Sequence, residues 1–199
     1  MWKKRMIVGI LILATSAYGE ATIGVDLRSR YVWRGTDYGN SASVQPTLEY
    51  STDLFTVGAW GAWSVSGAPG GNENDLYLST QVGPVGLTLT DYFFPGYMGT
   101  DDILEVDNHI LEISASSAIG DLGALIAYNY SGDTDNSAYV ELEYQFLTLG
   151  MGNGFYTLQD DPDFNIVHIG LSSSRDIYTI SYILNPEQKT SFLVFGISL

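Results

Sequence analysis

Cysteine is absent from this 199-residue chain, which excludes a disulfide-stapled secreted scaffold and any thiolate metal centre. Basic residues are scarce: eight Lys and Arg stand against 23 acids, for a formal net charge of −15. That balance excludes an electrostatic grip on nucleic acid, so no nucleic-acid partner is expected. Long apolar runs are missing too. Beyond the amino terminus no stretch approaches the roughly 20 residues of a membrane helix, so no later helical span is expected, and the amino-terminal run is either a cleaved leader or an uncleaved anchor. Tandem repeats, low-complexity tracts and interdomain linkers are also lacking, which leaves room for a single domain.

What is present begins with a leader. Met1-Trp2-Lys3-Lys4-Arg5 precedes an apolar run at 6–14, and small residues follow at Ala17 and Gly19. A basic start, a short apolar middle and small residues predict a secretory signal peptide over 1–19, with the domain at 20–199. Three of the eight cations fall within the leader, so the mature chain carries five against 23 acids, a net −18. An exported, acidic chain rich in Tyr (14) and Gly (22) is either a soluble β protein or an outer-membrane barrel.

Twelve alternating segments follow one another, at 21–34, 42–51, 54–65, 74–83, 85–93, 108–118, 122–131, 137–146, 147–157, 164–173, 177–185 and 190–199. Each is closed by turn residues. Connections after odd segments are longer and polar (35–41, 65–73, 94–107, 131–136, 159–163, 185–189), whereas those after even segments are tight. Long loops at one end and short turns at the other mark a transmembrane antiparallel up-and-down barrel; Greek-key crossovers of a soluble sandwich have no reason to alternate so.

The faces agree. Over 74–83, Leu76, Leu78, Thr80 and Val82 oppose Asp75, Tyr77, Ser79 and Gln81; over 137–146, Val140, Leu142, Tyr144 and Phe146 oppose Tyr139, Glu141, Glu143 and Gln145. In a membrane barrel the polar face lines the lumen, because lipid offers no hydrogen bonds. Aromatics of apolar-face parity lie near segment ends, where interfacial girdles form: Tyr31, Trp33, Tyr50, Trp63 and Tyr144, with Phe55, Tyr128, Tyr130, Phe146 and Phe155. The final segment, 191–199, puts Leu193, Phe195, Ile197 and Leu199 on one face, like the terminal signal read by the barrel assembly machinery. Gly150, Gly152 and Gly154 share the lumen parity, which either makes room for bulk from the opposite wall or marks a bend.

The first segment holds the most specific pattern, Ser29-Arg30-Tyr31-Val32-Trp33-Arg34-Gly35. It is followed by Gln45-Pro46-Thr47-Leu48-Glu49-Tyr50 and Val57-Gly58-Ala59-Trp60-Gly61. Together these resemble the TorF-type porins, also called the Gcw_chp family of outer-membrane proteins. The resemblance covers about the first third of the chain and implies an outer-membrane barrel of porin type without a defined substrate.

Parity places Asp26, Arg28, Arg30, Arg34, Glu49, Asp75, Glu112, Glu141 and Glu143 on the pore-lining face. Two arrangements stay open. Arginines facing an acidic wall set up a transverse field that selects small polar solutes, with cations favoured. Alternatively, the same groups pair across a narrow lumen and plug it, as in a structural or adhesion barrel. Outer-membrane lipid, lipopolysaccharide and small polar solutes are the expected partners. Asp133-Thr134-Asp135-Asn136 has alternate-ligand spacing but lacks the Gly and distal Glu of a calcium loop, so neither metal nor cofactor is expected. A lipid hydrolase would need a Ser–His pair; His168 with Ser172 is the nearest, on the lumen parity and without a third partner, and no enzyme is expected. The prediction is thus a twelve-stranded channel in the outer membrane of a Gram-negative bacterium, with both termini in the periplasm.

Overall fold

The computed structural model describes residues 19–67, 70–96, 102–158 and 163–199, so the predicted leader lies outside the described residues except for Gly19. In chain order the strands are β1 (Glu20–Arg28), β2 (Tyr31–Trp33), β3 (Thr36–Tyr38), β4 (Ser43–Ser51), β5 (Thr56–Ser64), β6 (Glu73–Val82) and β7 (Val85–Phe93). They continue as β8 (His109–Ile119), β9 (Leu122–Ser131), β10 (Ala138–Tyr144), β11 (Leu147–Gly152), β12 (Asn165–Arg175), β13 (Tyr178–Asn185) and β14 (Thr190–Ser198). Twelve of them close into one antiparallel barrel, each bonded to its sequence neighbour and β14 returning to β1. The exceptions are β2 and β3, a hairpin that the barrel ladder skips, so that β1 pairs directly with β4.

Alternating β-branched, aromatic and small polar residues suit a pleated ladder with two unlike faces. Four turns are as short as a hairpin allows: Val82 opposes Val85, Ile119 opposes Leu122, Tyr144 opposes Leu147, and Arg175 opposes Tyr178. β1 begins and β14 finishes at this short-turn end, beside Ser51 and Tyr178. The seam is shorter than the other ladders of the barrel. β1 runs beside β4 from Glu20↔Ser51 to Arg28↔Ser43, but meets β14 only from Asp26↔Ser198 to Arg28↔Gly196.

The polarity is inverted relative to a water-soluble protein. Ile23, Leu48, Leu76, Ile126 and Leu193 stand exposed on the outer face, whereas Gln45, Glu73, Asp75, Glu112, Asn129 and Asn185 are buried within. A continuous apolar exterior of this kind far exceeds the patches tolerated by a monomer in water. Among the described residues no helix is long and apolar enough to cross a membrane, and crossing by strands is a separate matter.

The first predicted strand, 21–34, needs correction. It leaves the wall after Arg28, where the Ser29 amide donates to the Phe195 carbonyl at 2.8 Å and the Ser29 hydroxyl accepts from the Phe195 amide at 2.9 Å. Beyond this point the same alternation continues, but in the separate hairpin. Its turn, Arg34-Gly35, has φ of 47° and 82°, and Trp33 opposes Thr36. Two positive φ values in a two-residue loop define a type I′ turn, whose twist matches that of its strands. The segment predicted at 147–157 also stops early, at Gly152, followed by a 3-10 turn at Gly154–Tyr156. His109 opens β8 on the outer face, where it meets Asp91 at 2.7 Å and stacks on Phe93.

Candidate functional site: a hairpin inside the lumen

The β2–β3 hairpin folds inward at the long-loop end and fills the barrel there. Trp33 packs on Tyr92 and Tyr156, with ring centroids 5.5 and 5.8 Å away, and Tyr31 packs on Trp60 at 5.5 Å. The aromatic alternation of this segment therefore serves a core inside the cylinder. Tyr31 and Trp33 are not membrane-interface residues, and Phe155, beside Tyr156, is turned inward with them. Tyr50, Trp63 and Tyr144 stand exposed on the outer face: Trp63 towards the long-loop end, Tyr50 and Tyr144 towards the short turns.

Four polar anchors hold the hairpin. At its tip the Arg34 guanidinium donates to Glu112 through both terminal nitrogens, at 2.5 and 3.1 Å. The Tyr156 hydroxyl accepts from the same group, and the rings of Trp33 and Tyr139 lie 4.3 and 4.5 Å from the guanidinium carbon. The Tyr31 hydroxyl donates to Glu73 at 2.6 Å. From the end of β13 and the connection after it, Asn185 donates to the Gly35 carbonyl at 3.2 Å, and Gln188 donates to the Thr36 hydroxyl at 3.0 Å. A bidentate, fully enclosed guanidinium–carboxylate pair with aromatic faces on the cation satisfies both charges where water is excluded.

The expected basic ladder opposite an acidic wall is not what forms. Arg28 pairs with Asp26 on its own strand at 2.5 Å, Arg30 pairs with Asp37 inside the hairpin segment, and only Arg34 reaches across the lumen. Residues two apart on one strand face are near neighbours, so the local partner wins over the distant one. Glu49 accepts from the Tyr77 hydroxyl at 2.6 Å. Glu141 accepts from Tyr139 at 2.5 Å and lies 3.4 Å from His168, whereas Ser172 sits opposite Ser181 on β13. Glu143 lines a cavity of about 580 Å³ at the short-turn end with Gln81, Ser116 and Glu141. The space left by Gly150 and Gly152 is taken by Tyr139 and Tyr156, the rings on which Arg34 rests, and the ladder slips in register between Gly150 and Met151. Room for bulk and a local irregularity thus coincide.

The sequence pattern does not mark several participants: Glu73, at the end of the 65–73 connection, Asp37, Trp60, Tyr92 and Tyr156. Glu73 shares parity with Asp75, and that spacing was the available signal. Among the described residues no group of three or more His, Asp or Glu side chains is placed to hold a metal. The Asp133 carboxylate is committed to its own turn, accepting from Asn129 and from the Asp135 and Ser137 amides at 2.9 to 3.0 Å. Burial would raise its pKa, but these donors outweigh burial and hold it below the usual value.

Comparison with known proteins adds one result. A family model described as a bacterial protein of unknown function, Gcw_chp, matches residues 13–179. No curated protein and no solved structure shows a significant match. The motif-bearing hairpin, the barrel and the match over most of its length converge: the chain belongs to the Gcw_chp family.

Proposed function

We propose that this protein is an outer-membrane β-barrel of the TorF porin type that passes small hydrophilic solutes, cations preferentially, under control of its internal hairpin. The observation that carries this reading is the position of β2–β3. It closes the long-loop end with a few polar anchors and leaves acid-lined space below it. The apolar exterior is the surface that lipid and lipopolysaccharide would cover, and the apolar-faced terminal strand at 191–199 is the segment that assembly machinery would engage. The role is non-enzymatic, with no cofactor. Lumen acids that lack an arginine partner, Glu49, Glu141 and Glu143, set the sign of selectivity.

The test is current through planar bilayers holding residues 20–199 under a salt gradient. The expected reversal potential has the sign of cation preference, and Glu49→Gln with Glu143→Gln should reduce it. A second reading, a closed structural barrel, is favoured by the buried Arg34–Glu112 pair that spans the lumen. Silence of correctly folded protein, persisting after Arg34→Asn, would overturn the channel and leave that second reading.

A further inference from the structure

Beside the hairpin lies a second cavity, of about 460 Å³, whose walls include Tyr31, Trp33, Trp60, Glu73, Asp75 and Tyr92. Its acids are unusual. Glu73 and Asp75 sit two apart on one face of β6, both more than nine-tenths buried and within hydrogen-bonding reach of each other, and no neighbouring N–H or hydroxyl group donates to Glu73 Oε1 or Asp75 Oδ1. Asp75 stands in register between Trp60 on β5 and Tyr92 on β7, so an aromatic ring flanks it on either side. Tyr31, bonded to Glu73, covers the pair from the hairpin.

The two arginines that also line the cavity, Arg28 and Arg30, are engaged by Asp26 and Asp37, so neither serves these acids. Buried carboxylate oxygens without donors, ringed by electron-rich faces, are complementary to one kind of guest: a cation that brings its own N–H groups. We infer that the Glu73–Asp75 chamber is a binding site for a small organic cation bearing N–H donors, a primary ammonium or a guanidinium. The carboxylates would accept its hydrogen bonds while Trp60, Tyr92 and Tyr31 face its charge. The space suits a guest of a few to about ten heavy atoms, not an oligomer. The inference goes beyond conduction, because it requires the chamber and not an open pore.

Two of the three tryptophans outside the leader, Trp33 and Trp60, line this cavity, so their fluorescence reports occupancy. Residues 20–199, refolded in detergent micelles, would be titrated with n-butylammonium and methylguanidinium, following fluorescence and heat. Tetramethylammonium, Na⁺ and Mg²⁺ serve as comparisons. Saturable one-to-one binding is expected, at least tenfold tighter for the N–H cations than for tetramethylammonium. Asp75→Asn should weaken it at least tenfold, and Asp53→Asn, on a short turn at the other end, should leave it unchanged. Should Asp75→Asn fail to show the heat-dependent gel shift of a folded barrel, Trp60→Leu replaces it with the same expectation. Absence of saturable binding to wild type would overturn the site and point to a proton shared between the two carboxyls. Equal binding of Na⁺ or Mg²⁺, or full affinity in folded Asp75→Asn, would overturn it as well. Micelle binding needs no conduction, so a silent barrel that still binds refutes the channel alone.

Discussion

Arg34 carries two burdens at once. Its φ of 47° is a conformation that most L residues avoid, and its guanidinium is sealed with Glu112 away from water. Asn would suit the first position of this type I′ turn better, so the arginine is retained for its side chain. Arg34→Asn should therefore keep the turn and lose the anchor. Removing one member of a buried pair strands the other, at a cost of about 3–5 kcal/mol. Urea unfolding in micelles should show a loss of that order, and the double variant Arg34→Asn/Glu112→Gln should recover part of it. Asp133 makes a prediction about pH. Because its carboxylate form is held by donors in the fold, the stability it contributes is complete above the unfolded value near about 3.9 and is lost as pH falls through the lower folded value. Limited proteolysis at 132–137 should accelerate only below about pH 4, and Asp133→Ala should remove that pH dependence. These details were partly legible. Parity assigned Arg34 and Glu112 to the interior, but no sequence pattern tells a residue on the wall from one brought inside on a hairpin.

The hairpin is the element on which the sequence reading and the fold diverge most. Alternation from Ile23 to Arg34 is continuous, so periodicity alone predicts one long strand. Two local features break it. Arg34-Gly35 is a turn dipeptide, and Thr36-Asp37-Tyr38, inside the predicted connection 35–41, supplies a return strand of matching parity. Gly35 is the residue this element cannot exchange: its φ is 82°, and a Cβ there would overlap the Val167 carbonyl. Gly35→Ala should unseat the hairpin while the twelve-stranded ladder persists. Expected signs are unchanged far-ultraviolet dichroism and faster proteolysis at 29–42. The remaining strands were legible because each must satisfy lipid-facing and lumen-facing demands on alternate residues, a constraint that writes itself into every other position. Segment ends were less so, as at Gly152, where a bulge and a 3-10 turn replace regular pairing.

At the scale of the molecule, the structure is a cylinder apolar outside and acidic within, closed at one end by its own chain. Among the described residues, arginine balances charge in the lumen at Asp26, Asp37 and Glu112. The other interior acids lean on tyrosine hydroxyls or stand without donors, which makes the interior attractive to cations. Parity assigns these acids to the interior but not their partners, since pairing within the lumen is decided by which side chains come close and not by how many share a face. The central claim, that the hairpin governs access through an otherwise passable barrel, is tested most directly by single-channel recording. Wild-type 20–199 would be compared with a variant in which 30–40 is replaced by a short Gly-Ser turn. The account predicts rare, small openings for the wild type and a persistent, larger, cation-preferring conductance for the variant, with both showing the gel shift of a folded barrel. Identical conductance from the two folded proteins would contradict it.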